Sequence, residues 1–128
     1  MGSTIVMYLI TLLLGDDMLN KVSIKDIGGK LVKDNAQYVL KDNKFLNSLV
    51  LSSTMLRANQ QTNGHNHKGQ EEIYFFISGQ GTMTIDERSF EVNKGDVVLI
   101  PDGAFHKVSN TGHLGLYFVC VFNGERYE

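Results

Sequence analysis

A single cysteine, Cys120, and a single proline, Pro101, occur in the 128 residues of this chain. One thiol cannot close an intrachain disulfide, so nothing here resembles the covalent framework of small extracellular domains. Cys120 sits in the apolar run Leu116–Phe122 and reads as a small hydrophobe in a core. Charge of either sign is not in excess: twelve Lys plus Arg oppose fourteen Asp plus Glu, a formal net charge of −2. No basic stripe is present that could neutralise a run of phosphates, and nucleic acid is not expected as a partner. Long apolar runs are missing as well. The most apolar segment, Ile5–Leu14, has ten residues, about half of what a membrane-spanning helix needs. It also lacks the basic leader and small-residue cleavage site of a secretory signal. No membrane partner is expected, and the default is a soluble, cytoplasmic protein. There is no G-x-S-x-G elbow, no phosphate-cradling glycine loop and no histidine placed beside Cys120 to make it a nucleophile.

A chain of this length supports one hydrophobic core. Its β-branched and aromatic residues gather in short runs, Tyr38–Leu40, Leu49–Leu56, Ile73–Ile77, Thr82–Ile85, Phe90–Val92, Val97–Ile100 and Leu116–Phe122, bounded by Gly, Asn, Asp or Lys. Runs this closely spaced, with little helical periodicity after residue 30, predict an all-β sandwich or barrel of antiparallel hairpins. The N-terminal third differs. Leu19–Ile27 suits either a strand or a helical turn, with Ser23 and Asp26 giving only a faint capping signal. Met18 opens a start-like stretch, so residues 1–17 read as an extension or an added edge strand, and residues 18–128 as the single domain. If the extension folds, Ile5–Leu14 needs cover, and a sheet edge of its own chain or of a second subunit supplies it.

Only four histidines occur, and His65 and His67 are separated by one residue in Gly64-His-Asn-His-Lys-Gly-Gln-Glu-Glu. Strand alternation puts both rings on one face, roughly 6–7 Å apart along the backbone. Two imidazoles and a carboxylate, from Glu71 or Glu72, make a mixed nitrogen and oxygen set suited to a divalent transition ion. Taken alone the pair is weak evidence, because exposed histidines are common. A second cluster strengthens it. Gly95-Asp-Val-Val-Leu-Ile-Pro101-Asp-Gly103-Ala-Phe-His106-Lys-Val-Ser-Asn110 holds an apolar strand stopped by proline, a glycine-permitted turn, and a histidine opening the next strand with its ring able to point inward. Turn chemistry accounts for Pro101 and Gly103, but not for their spacing to His106.

With these residues in place the sequence resembles the cupin superfamily, whose motifs read G-x5-H-x-H-x(3,4)-E-x6-G and G-x5-P-x-G-x2-H-x3-N. His65, His67, Glu72 and Gly79 match the first; Gly95, Pro101, Gly103, His106 and Asn110 match the second. The first motif's opening glycine falls on Asn59, which tolerates a positive φ, and the hairpin at Asp86-Glu87-Arg88 lacks the glycine common there. The resemblance spans residues 48–122 and implies a double-stranded β-helix, or jelly roll, with one divalent ion (Mn, Fe, Zn or Ni) held inside one end by His65, His67, Glu72 and His106. The spacing to Gly79 selects Glu72 over Glu71. Alternation then sends Tyr74 and Phe76 inward and Glu71 outward.

Three imidazoles and one carboxylate leave two positions open on an octahedral ion, enough for a bidentate substrate or for one substrate atom plus water or dioxygen. Candidates for the surrounding wall are Tyr74, Phe76, Met55, Arg57 and Gln61, with Tyr74 and Arg57 the catalytic candidates. A guanidinium can clamp a carboxylate or phosphate, and a phenol can donate a proton, although solvated arginine and packed tyrosine are the plainer readings. His113, in a polar loop outside both motifs, is left out of the site. Cupins perform many reactions, so fold says little about chemistry. The preferred expectation is a metal-dependent enzyme acting on a small oxygen-rich metabolite, specifically a sugar or sugar-phosphate isomerase or epimerase. A dioxygenase and a non-catalytic metal or small-ligand binding module are the alternatives. A homodimer is expected, since small cupins often pair through sheet edges.

Overall fold

The computed structural model describes residues 20–126; the expected extension at 1–17 and its apolar run lie outside them. Among the described residues nine strands follow in chain order: β1 (Lys30–Asp34), β2 (Tyr38–Asn43), β3 (Leu49–Leu56), β4 (Glu72–Ser78), β5 (Gln80–Ile85), β6 (Arg88–Asn93), β7 (Val97–Ile100), β8 (His106–Ser109) and β9 (Leu116–Asn123). All strand pairings are antiparallel. They build a six-stranded sheet, β1-β2-β3-β9-β4-β7, and a three-stranded sheet, β6-β5-β8. One core is shared between them, with Leu56, Tyr74, Phe76 and Phe118 from the larger sheet meeting Met83, Ile85, Val92 and Val108 from the smaller. This is the all-β jelly roll expected from the sequence.

Alternation along β4 and β9 makes that core. Glu72, Tyr74 and Phe76 are buried while Ile73 is exposed, and the register sets Tyr74 opposite Cys120 and Phe76 opposite Phe118. The Tyr74 ring stacks on Phe118 at 5.1 Å between centroids, and Phe76 meets Phe118 at 5.3 Å. Full burial of each phenyl side chain contributes about 1.5–3 kcal/mol.

Two elements differ from the sequence reading. Strand β1, Lys-Leu-Val-Lys-Asp, is a charged edge strand without the apolar alternation that marks the others. The segment 20–28 is neither strand nor helix; among the described residues a Ser23–Asp26 bridge is its only ladder contact. It is pinned to the outside of the large sheet by Ile27, 1% exposed, by Asn43 Nδ2 donating to the Ile27 carbonyl at 2.7 Å and by the Tyr117 hydroxyl donating to the Ile24 carbonyl at 2.8 Å.

The motif turns have individual causes. Gly79 joins β4 to β5 at φ +90°, where a Cβ would lie 2.6 Å from the Gly115 carbonyl oxygen, so no other residue fits without movement. Asn59 takes the glycine-like φ of +61°, and Asp86 takes +52° in the glycine-free hairpin. Asp86 is held there by a carboxylate that accepts from the Phe105 amide at 3.0 Å. Asn110 is a buried strut: its amide donates to the carbonyls of Leu56 and Leu114 at 2.9 and 2.8 Å, and its Oδ1 accepts from the Gly112 amide. Among the described residues no helix is long and apolar enough to cross a membrane.

Candidate metal centre

The segment 60–65 runs beside β8 and brings the first histidine to the second cluster. His65 and His106 exchange both backbone hydrogen bonds, at 3.1 and 3.0 Å. Gly64, at φ +76°, directly precedes His65, and a Cβ there would lie 2.6 Å from the Phe105 ring. Glu72 starts β4 in the other sheet. The jelly roll therefore places the ligand atoms of His65, Glu72 and His106 within 4.8 Å of one another. The His65 and His106 rings meet edge to face at 4.5 Å.

His67, the fourth expected ligand, stands beside this group rather than in it. Its ring centroid is 4.7 Å from that of His65. Its carbonyl accepts from the Gln70 amide, so its backbone is committed to a turn before β4 and not to a strand. The one-face geometry of a continuous strand consequently does not hold for the pair.

The chemistry of the donors decides what the cluster can hold. His106 Nδ1 faces the Ala104 carbonyl at 3.0 Å. A carbonyl only accepts, so in the neutral ring Nδ1 carries the hydrogen and Nε2 presents a lone pair. That Nε2 lies 3.0 Å from Glu72 Oε2. The contact is not aligned as a hydrogen bond, and both atoms are buried without any other hydrogen-bond partner among the described residues. Two lone pairs at this distance in a dry site require a positive charge on or between them, either a proton on the imidazole or a bound cation. The residues thus fit a divalent ion through buried, directed and otherwise unsatisfied donors.

Protonation follows the same geometry. Burial pulls His106 toward its neutral form, but the Glu72 carboxylate and the Ala104 carbonyl outweigh it and hold the pKa above the usual imidazole value. Burial favours the neutral acid at Glu72, yet His106, His65 and the Tyr74 hydroxyl together keep its pKa below the ordinary carboxyl value. His65 is lowered to about 4, first by burial and then by the charge of His106, which leaves it an unprotonated ligand at neutral pH. Tyr74 is pushed well above the usual phenol value by burial and then by the neighbouring Cys120 and Glu72. It stays a phenol. Cys120, which lines the cavity, is raised in the same way, by burial and then by Glu72, and stays a thiol.

The cluster opens on a cavity of about 250 Å³ whose wall includes Tyr74, Thr54, Asn63, His67, Lys33 and Arg126. Four expected wall residues, Met55, Arg57, Gln61 and Phe76, are absent from it. On β3 the inward set is Ser52, Thr54 and Leu56, so Met55 and Arg57 have the opposite parity. Arg57 faces solvent, its Nη2 donating to Asp34 Oδ1 and its Nε to the Asn35 carbonyl, both at 3.0 Å. Gln61 is exposed and takes hydrogen bonds from Gln37 and Ser109. Phe76 lies deeper, in the core. The guanidinium that reaches the cavity is instead that of Arg126, beyond both motifs. Its Nε and Nη2 bind both oxygens of buried Asp42 at 2.6 and 2.8 Å, Nη2 also donates to Ser52 Oγ, and its carbon sits 5.0 Å from the Phe122 ring centroid. No local pattern marks a lone arginine in the tail as a cavity residue.

A family model described as the cupin domain matches residues 54–122, and the chain belongs to that family. It is 33% identical over 94 residues to an uncharacterised protein of Methanocaldococcus jannaschii, covering 65% of this chain and 75% of that one. It is 27% identical over 94 residues to an oxalate-binding protein of Thermotoga maritima, covering 73% and 78%. A solved structure of a Bacillus subtilis oxalate decarboxylase mutant superposes with a TM-score of 0.70 at 21% identity, over 77% of this chain but only 29% of the other. That decarboxylase has Mn(II) centres.

Two outcomes follow from the donor geometry. His106→Ala should lower Mn(II) or Zn(II) occupancy by about tenfold or more while the far-ultraviolet circular dichroism of the barrel is kept; metal content measured by elemental analysis that matches wild type would remove the assignment. The second concerns pH. The pKa of His106 is raised on folding, so its contribution to stability is full below the unfolded value of about 6.5 and is lost as pH rises through the folded value. His65 acts with the opposite sign, but only below about pH 6.5. Between pH 6.5 and 8.5 the melting temperature of metal-free protein should therefore fall, while the increase on adding metal should grow because the proton competes for the same nitrogen. Flat curves for both would contradict the pairing.

Proposed function

We propose that this protein holds one divalent ion on His65, His67, Glu72 and His106 and uses it to bind and act on a small, oxygen-rich carboxylic acid. The observation that carries the reading is the pair of buried donor atoms, Glu72 Oε2 and His106 Nε2, without a hydrogen-bond partner among the described residues, next to a cavity that Glu72 and His65 line. On this reading His67 turns its ring to join the set, which its place beside His65 permits. The ion supplies Lewis acidity toward a carboxylate or carbonyl oxygen.

The chain's own groups support an acid as the ligand. Lys33 and Arg126 are the cations of the wall, and apart from Glu72 no carboxylate lines it among the described residues. At about 250 Å³ the space lies at or below the small end of ligand pockets. Tyr74 is a positioning residue on this reading: its ring stacks on Phe118 and meets His106 edge to face at 5.8 Å, which sets its hydroxyl beside the cluster. Two relatives named for oxalate, one that binds it and one that decarboxylates it, give the same chemical class.

A second reading, a sugar or sugar-phosphate isomerase or epimerase, draws on the hydroxyl and amide groups of Thr54, Thr62 and Asn63 in the same wall, which suit sugar hydroxyls. Calorimetric titration of Mn(II)-loaded protein with oxalate, lactate, a neutral hexose and a hexose phosphate separates the two. The proposal expects the acids to bind and to lose about tenfold or more of their affinity when the metal is stripped. Binding of the sugars with no affinity for either acid would overturn it in favour of the isomerase reading. Oxygen uptake with a bound acid would place the activity among dioxygenases, and binding with no turnover would make the protein a binding module.

A further inference from the structure

The edge strand β1 carries an irregularity with a direct bearing on the cavity. Leu31 pairs with Lys41, but two residues later Lys33 pairs with Leu40, not Val39, so the register slips by one between them. In a regular strand residues 31 and 33 share a face. Lys41 points outward, where it meets Asp26 at 3.2 Å, whereas Leu40 is buried and lines the cavity. The bulge turns Lys33 from the outer face of the sheet to the inner one, and its side chain joins the cavity wall. Re-aiming a side chain in this way is what a bulge achieves mechanically.

The two cations of the wall are not equivalent. Arg126 is matched by Asp42, which takes both of its forward hydrogen bonds. Lys33 engages no carboxylate among the described residues. With a divalent ion set against Glu72, one positive charge remains at the metal end of the cavity, and Lys33 adds another at the mouth. The Arg126–Asp42 pair contributes none.

Resting on the carboxylic-acid reading above, we infer that Lys33 is a second anion seat and that the ligand is a dicarboxylate: one end is a chelating acid head at the metal centre, the other a carboxylate paired with Lys33. The field in the cavity selects a dianion over a monoanion, and the bulge is the structural cause of that selectivity. The competing explanation is that an inward lysine on an edge strand only discourages sheet pairing with another chain.

Lactate and malate distinguish these, since both carry the same 2-hydroxy-acid head and only malate adds a second carboxylate. Their dissociation constants are measured by calorimetry on Mn(II)-loaded protein, with metal content checked in each sample. Wild type should bind malate about tenfold more tightly than lactate, the size expected of one charge-assisted hydrogen bond. Lys33→Met should bring the ratio close to one with manganese content unchanged, and Lys33→Arg should restore most of the preference. Lactate bound in a metal-dependent way with no gain for malate overturns the second seat and leaves the carboxylic-acid reading standing. An unaltered ratio in Lys33→Met also overturns it, and new self-association of that variant in light scattering identifies the lysine as an edge guard. Failure of both acids to bind removes the carboxylic-acid reading and this inference with it.

Discussion

A carboxylate oxygen and an imidazole nitrogen, 3.0 Å apart and both buried, come from two different sheets: Glu72 from the start of β4 and His106 from the start of β8. Neither atom has another partner, and such a pair is tolerated in a dry interior only with positive charge between or upon its members. The rest of the site is arranged around that constraint. The Ala104 carbonyl fixes the His106 tautomer, the Tyr74 ring packs edge to face on His106, and the backbone bridge to His106 sets His65 beside both. A jelly roll can satisfy these demands together because its two sheets approach closely at one end while strand register keeps each side chain on its face.

Much of this was legible in the sequence, for physical reasons that can be named. Strands such as Leu49–Leu56 and Val97–Ile100 stand out because half-buried and edge strands need apolar side chains at fixed parity, and they occur with those bounds. Glycines and asparagine at turn positions declare themselves through backbone sterics, as Gly79 and Asn59 show. That His65, Glu72 and His106 come together was legible because histidines and a carboxylate at such restricted spacings are the pattern of a candidate metal site. His67 was harder: the prediction assumed an extended strand, whereas a turn closed by Gln70 redirects it.

What the sequence did not reveal depends on three-dimensional accidents without local pattern. Arg57 looked suitable by proximity to the first motif, but strand parity sends it outward to Asp34. The guanidinium in the cavity belongs to Arg126, delivered by the tail and held by Asp42 from a strand 84 residues away. Lys33 reaches the wall only because of a one-residue slip in an edge strand that the composition did not announce. The candidate ligand cluster can thus be read from motifs, whereas the charged groups of the cavity wall are placed by strand parity, a bulge and a segment beyond both motifs.

The central claim is that His65, Glu72 and His106 together hold one divalent ion. The most direct measurement is an anomalous difference map from crystals grown with Mn(II), collected at a wavelength where manganese scatters anomalously. A single strong peak per chain in contact with a ring nitrogen of His65, a Glu72 carboxylate oxygen and His106 Nε2 is the predicted result, with the His67 ring turned toward it. A map with no peak there, and a proton retained between Glu72 and His106, would contradict the account and leave the three residues as a buried charge pair with a histidine neighbour.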